Sequence, residues 1–216
     1  AHAARPEGGV SAIHLLATAL LEAGVLSGQS EAAMRAFAQL SGDIYGERAG
    51  IAREDEDTGR STMVCGRART EGGMLSLSVD CRLSIATDVE EDSRTLQAYG
   101  RSLDLEPREF STTSPVYIPK DGPLIAAAQR AYFEVTGDDA PPFTSGGGTY
   151  SRLLKNAITF GVIFPGERPR PEGLPATHGA AHGPDEFTSI SDLLRAAEIY
   201  ALALVQLDEV AGEARA

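Results

Sequence analysis

The side chains with the greatest chemical reach lie in four short polar stretches. In THGAAHGPDEF, residues 177–187, His178 and His182 stand one helical turn apart, and Asp185 and Glu186 follow them. Imidazoles and carboxylates bind metals, but a metal site needs three or four converging ligands, of which two histidines supply only part. In SGGGTYSR, residues 145–152, three glycines let the backbone approach a ligand closely, and N–H groups exposed there can hold an anion or oxyanion. The stretch lacks the spaced Gly and Lys-Ser/Thr of a phosphate loop, and a plain flexible turn is the alternative. Asp80 and Arg82 stand two apart in an alternating run, and the N-terminal AHAARPEGG carries His2. A guanidinium fork suits the two oxygens of a carboxylate, so Arg82 either grips a ligand or is neutralised by Asp80.

Regular elements flank each stretch. Val10, Ile13, Leu16, Ala17, Leu20 and Leu21 recur at helical spacing, with Ser11 placed to cap the first turn and His14 within the helix as a surface or boundary histidine. SEAAMRAFAQLSG reads as a second helix, capped by Ser30 and stopped near Gly42. AREDEDTGR reads as a mobile, solvated acidic loop. In MLSLSVDCRLSI, Leu75, Leu77, Val79, Cys81, Leu83 and Ile85 alternate with polar residues, which predicts a half-buried strand. The preceding EGG is a turn that pairs it antiparallel with STMVCGRAR, and Arg82 leaves on the polar face. DVEEDSRTLQAYGRSL is a helix with acids in its first turn, where the macrodipole favours them, and DLEPREFST is a short edge strand or linker. Beyond residue 111 come a helix opened by Pro123 and ended by Gly137, a short helix after the glycines, and the largely apolar NAITFGVIFPG, of the type buried in a sheet. A long helix capped by Ser189 or Ser191 closes the chain.

The bulk numbers restrict what such a chain does. A length of 216 residues suits two modest cores, read here as residues 1–111 and 112–216. A formal net charge of -12 argues against a nucleic-acid backbone as partner, because that ligand needs a clustered basic surface. No apolar run approaches the roughly 20 residues of a membrane-spanning helix. Cys65 and Cys81, the only cysteines, lack C-x-x-C spacing and read as reduced thiols, which points to the cytoplasm.

Taken in order, the four stretches resemble the dinuclear-metal peptidase family that includes aminoacylase, carboxypeptidase G, succinyl-diaminopimelate desuccinylase and bacterial Xaa-His dipeptidases. AHAARPEGGVSAI is similar to that family's H-A-x-x-P-x-x-G-x-N-A-I, with Ser11 in place of the usual Asn. DEDTGRSTMVCG and LSLSVDCRLSI resemble its lid segments, including D-x-R. SGGGTYSRLLKNAITFGVIFPGE and HGPDEF look most like the dipeptidase branch. The fold implied is α/β: an α+β lid of ferredoxin-like type, then the C-terminal part of an α/β zinc-peptidase catalytic domain. The resemblance makes His2 the oxyanion-stabilising lid histidine, Arg82 the clamp on the substrate's terminal carboxylate, and Ser145, Gly146 and Gly147 the substrate loop. His182, with Glu186 four residues on, becomes the last metal ligand in preference to His178. It implies two zinc ions in the complete enzyme, with manganese or cobalt as substitutes.

In that family an H-x-D, a bridging Asp and a Glu-Glu pair containing the general base supply the remaining machinery, and these 216 residues contain no H-x-D. REDED and VEED fall in lid-like segments and are not promoted to those roles. The expectation is therefore a fragment of a metallopeptidase, acting on a dipeptide or an N-acyl amino acid and inactive without its N-terminal half. A deacylase of N-acyl amino acids, and a free-standing lid-type module for dimerisation or binding, are the alternatives.

Overall fold

The computed structural model describes residues 2–154, 157–159, 164, 170–179 and 183–213. By contacts the chain divides into two compact units, Ala1–Tyr117 with Thr144–Gly148, and Ile118–Phe143 with Thr149–Ala216.

The first unit contains α1 (Ala12–Glu22), α2 (Gly28–Ser41), β1 (Glu54–Asp55), β2 (Gly59–Arg60), β3 (Thr62–Glu71), β4 (Met74–Arg82) and α3 (Val89–Ser102). The Ser11 side chain accepts from the His14 N–H, the cap that the sequence suggests. His14 in turn places Nδ1 3.0 Å from the Ala38 carbonyl, joining α1 to α2. The second helix begins two residues before the expected Ser30, with Ser27 at the cap position. Asp88 caps α3 by accepting from the Glu90 and Glu91 N–H groups.

β3 and β4 form an antiparallel hairpin closed by Gly72 and Gly73, both at positive φ (55° and 76°). A tight two-residue turn needs that left-handed backbone to follow the strands' twist. Met63, Cys65, Leu77, Val79 and Cys81 line one face of the hairpin. Leu40, Ala49 and Ile51 complete the buried cluster, against which Ile13, Leu96 and Tyr99 pack. Leu75, at the far end, is exposed, because residues 66–76 extend beyond the helices.

One expectation changes here and another narrows to one of its alternatives. The acidic stretch is no mobile loop: β1 and β2 pair antiparallel, and Asp55 closes their turn by accepting from the Asp57 and Thr58 N–H groups at 2.8 and 3.2 Å. An Asx turn followed by Gly59 at φ 70° orders the acids locally. DLEPREFST forms no strand, so the linker reading holds; Pro107 has no N–H to give to a ladder. The class is nonetheless mixed α and β, with two separate two-stranded sheets among the described residues.

The second unit contains α4 (Pro123–Thr136), a 3-10 turn (Tyr150–Leu153) and α5 (Ile190–Glu213). Gly137 ends α4 in the left-handed conformation, and the Ser189 hydroxyl accepts from the Asp192 N–H at the start of α5. Ala131, Ala196 and Ala203 are buried with Ile199 and Phe164, so small side chains let these helices approach closely. NAITFGVIFPG is described only at residues 157–159 and 164. No helix among the described residues is long and apolar enough to cross a membrane.

Candidate substrate site

Arg82 closes β4, half-buried, and its register is the first determinant of the site. Counting straight back from the Gly72–Gly73 turn pairs Arg82 with Met63, which would set a charged group beside a core side chain. A register shift between Cys65 and Arg67 removes that conflict, so Met63 pairs with Cys81 and Arg82 with Thr62. The bulge sits at Gly66, a residue that strands tolerate at such irregularities. The Asp80 carboxylate accepts from Arg82 Nε and Nη2 at 2.8 and 2.9 Å, a bidentate pair along one side of the guanidinium. Arg82 Nη1 donates to the Gly146 carbonyl at 3.0 Å.

The N-terminal segment reaches the same strand end. Thr62, opposite Arg82, donates its hydroxyl to the Ala3 carbonyl at 2.8 Å, and the turn from His2 to Arg5 closes through Arg5 N–H to His2 C=O. The exposed His2 ring accepts the Ala4 N–H on Nδ1 at 3.1 Å. A neutral imidazole that accepts on Nδ1 carries its proton on Nε2, the form able to donate to a developing oxyanion. Ala4 also limits the glycine loop: a Cβ built on Gly146 would lie 2.7 Å from the Ala4 Cβ and 3.6 Å from that of Arg82. Only glycine fits there. The Ser145 hydroxyl accepts from the Gly147 N–H at 3.2 Å, and Thr144 donates to the Asp57 carbonyl at 2.9 Å, fastening the loop to the β1–β2 turn.

The first unit thus brings together His2's segment, Arg82 and Ser145–Gly147 in one neighbourhood. Sequence reading missed three anchors, Thr62, Ala4 and Thr144. The signal for Thr62 was Gly66, whose bulge moves the register by one; Ala4 and Thr144 had none.

The second unit holds the histidine-rich loop. His178 Nδ1 lies 2.8 Å from Asp185, whose backbone is left-handed at φ 52°. Arg170 donates to the Pro175 and His178 carbonyls, and Gly179 N–H to Pro184 C=O. Gly179 has φ 88°, a left-handed backbone that favours glycine, and a Cβ there would meet the Phe187 ring at 2.6 Å. His182 lies outside the described residues. Among the described residues no three His, Cys, Asp or Glu side chains converge to hold a metal ion. The two thiols are ordinary core groups: burial pushes Cys65 up to about 12 and Cys81 to about 11, each further raised by a neighbouring anion-forming group.

Comparison with known families supplies the class that this arrangement belongs to. The chain is a member of peptidase family M20/M25/M40, which it matches over residues 7–206. It is 31% identical over 209 residues to the "Putative dipeptidase YtjP" of Bacillus subtilis (strain 168), covering 95% of this chain and 42% of that protein. It is 27% identical over 210 residues to the "Beta-Ala-Xaa dipeptidase" of Lactobacillus delbrueckii subsp. lactis, covering 96% of this chain and again 42% of the relative. The "Putative dipeptidase SSP1012" of Staphylococcus saprophyticus is 31% identical over 112 residues, which is 52% of this chain and 21% of that protein. The chain therefore spans about two-fifths of the length of the first and second of these relatives.

Proposed function

We propose that this chain carries the carboxylate-reading portion of a metal-dependent dipeptidase. The observation that carries the reading is the triple junction of Ala3–Ala4, Thr62–Arg82 and Gly146, which ties three distant stretches to one strand end. In this reading residues 1–111 are the lid and residues 112–216 a part of the catalytic domain. Arg82 grips the free C-terminal carboxylate of a dipeptide, using the donor geometry that favours planar, two-oxygen ligands. His2 donates from Nε2 to the oxygen that gains charge when the amide carbon is attacked. Ser145, Gly146 and Gly147 orient the peptide backbone, with Gly146 keeping the loop against Ala4.

The donors among the described residues do not amount to a metal centre. His182, with Glu186, is the proposed contribution of this chain to zinc binding, the other ligands and the base lying outside these 216 residues. Dipeptides are favoured over N-acyl amino acids because the relatives that match over the whole chain carry dipeptidase names.

The test compares three probes on the complete gene product with zinc added: alanyl-alanine, its C-terminal amide, and N-acetyl-alanine. Hydrolysis of the free dipeptide is expected to exceed that of the amide by about a hundredfold, the worth of a charge-assisted pair at a partly buried site. Equal rates on acid and amide would remove the carboxylate clamp, and faster cleavage of N-acetyl-alanine would make the protein a deacylase.

A further inference from the structure

A guanidinium has five N–H donors. Asp80 takes Nε–H and one N–H of Nη2, and the Gly146 carbonyl takes one N–H of Nη1. The side-on grip of Asp80 uses the Nη2 proton that faces Nε, so the other Nη2 proton is directed along the terminal edge that Nη2 shares with Nη1. Among the described contacts, one donor on each terminal nitrogen is left for a ligand.

We propose that Asp80 is a positioning residue for substrate binding: by holding one side of the Arg82 guanidinium it fixes which pair of donors a substrate carboxylate meets. The inference rests on the carboxylate-clamp reading of Arg82 and adds a role for its neighbour. Three features support it. Asp80 and Arg82 are two apart on β4 and so share a face, which allows a bidentate pair without distorting the strand. Arg82 is less exposed than Asp80, with 29% of its side chain accessible against 47%, so the acid braces the base from the wetter side. The Gly146 carbonyl restrains the opposite part of the group, leaving the guanidinium little rotational freedom.

The brace also sets the strength of the grip. Asp80 already balances the Arg82 charge, so an incoming carboxylate binds a neutral pair and gains orientation more than Coulomb energy. Such a clamp discriminates between acid and amide yet releases a charged product.

Binding of alanyl-alanine and of its C-terminal amide, measured by calorimetry on the complete gene product, tests the idea without requiring turnover. Asp80→Ala is expected to weaken alanyl-alanine binding about tenfold and to leave the amide unchanged, since ordering a long side chain and one charge-assisted bond are lost. Asp80→Glu, which keeps a carboxylate in reach, restores most of the preference. In an Arg82→Met background, Asp80→Ala adds no further loss. The signal of Arg82 Nε–H in nitrogen-15 spectra, sharp and shifted when bonded to a carboxylate, collapses towards that of a solvated arginine in Asp80→Ala and not in Asp80→Glu. If Arg82→Met abolishes the acid-over-amide preference while Asp80→Ala preserves it, the brace is wrong and the clamp stands. If Arg82→Met leaves the preference intact, clamp and brace fall together.

Discussion

At the scale of single residues, the proposed clamp Arg82 is also a structural partner of Asp80 and Gly146. Its bond to Gly146 makes it part of the loop's support, so charge and shape are separable by substitution. Arg82→Lys keeps the charge but has no planar fork; it is expected to lose at least tenfold in kcat/KM on a free-carboxylate dipeptide, with KM carrying the change. Gly146→Ala is expected to be more damaging, because the added methyl meets the Ala4 Cβ, an atom that cannot swing aside. Its loss of activity should come with weakened protection of the 144–148 amides in hydrogen exchange. The thiols give a simpler expectation. With burial holding Cys65 near 12 and Cys81 near 11, thiolate is scarce at pH 8, and both should react with a disulfide reagent far more slowly than an unfolded control. That Arg82 points away from the core was legible in the alternation of β4. That it stands opposite Thr62 was not, because a one-residue bulge depends on tertiary packing and leaves only Gly66 as its mark.

At the scale of elements, caps and turns carried most of what could be read in advance. Ser11 and Ser189, both expected as caps, accept from the first turn of their helices, and the paired glycines at 72 and 73 close the hairpin; the Asp88 cap of α3 was not foreseen. Asp88→Ala is expected to cost about 1 kcal/mol in chemical denaturation, while Ser30→Ala, in the first turn of α2 but not at its cap position, should cost nearly nothing. The 54–60 stretch defeated a reading based on charge. Four consecutive acids, Glu54 to Asp57, suggest repulsion and mobility, yet the side chain of Asp55 supplies the turn's missing acceptor and Gly59 its backbone freedom. Local hydrogen bonding outweighed net charge, which composition alone does not reveal. The edge-strand alternative for residues 104–112 fails for the opposite reason, since Pro107 removes a donor and the apolar residues are too few to bury a face.

At the scale of the whole molecule, stability in the first unit depends on an ion pair as well as on the hairpin core. Asp92 is buried and meets Arg53 Nη2 at 2.5 Å, while its other carboxylate oxygen has no hydrogen-bond partner among the described residues. Burial raises the Asp92 carboxyl above its ordinary range, only partly offset by Arg53. A folded-state value above the unfolded one means that this group's stabilising contribution is full below the unfolded range and lost as pH rises through the folded value. Asp92→Asn should therefore gain relative to the parent as pH climbs out of the acid range, which urea titrations at several pH values would show. Arg53→Met, which strands the buried acid, is expected to cost about 2 kcal/mol, below the roughly 3–5 of a fully buried pair because Arg53 keeps contact with water. Met63→Ala empties a site that is 1% exposed and should cost about 2–5 kcal/mol.

The passage of Thr144–Gly148 back to the first unit makes the order of the polypeptide differ from the order of its parts. A protein engineer who severed the chain after Tyr117 would retain the arginine yet discard the carbonyl that steadies it, and a graft of the first unit onto another scaffold would have to transplant two separate stretches. Insertions between residues 118 and 143 face a related restriction: whatever is added there must still let the glycine ribbon return to its alanine neighbour.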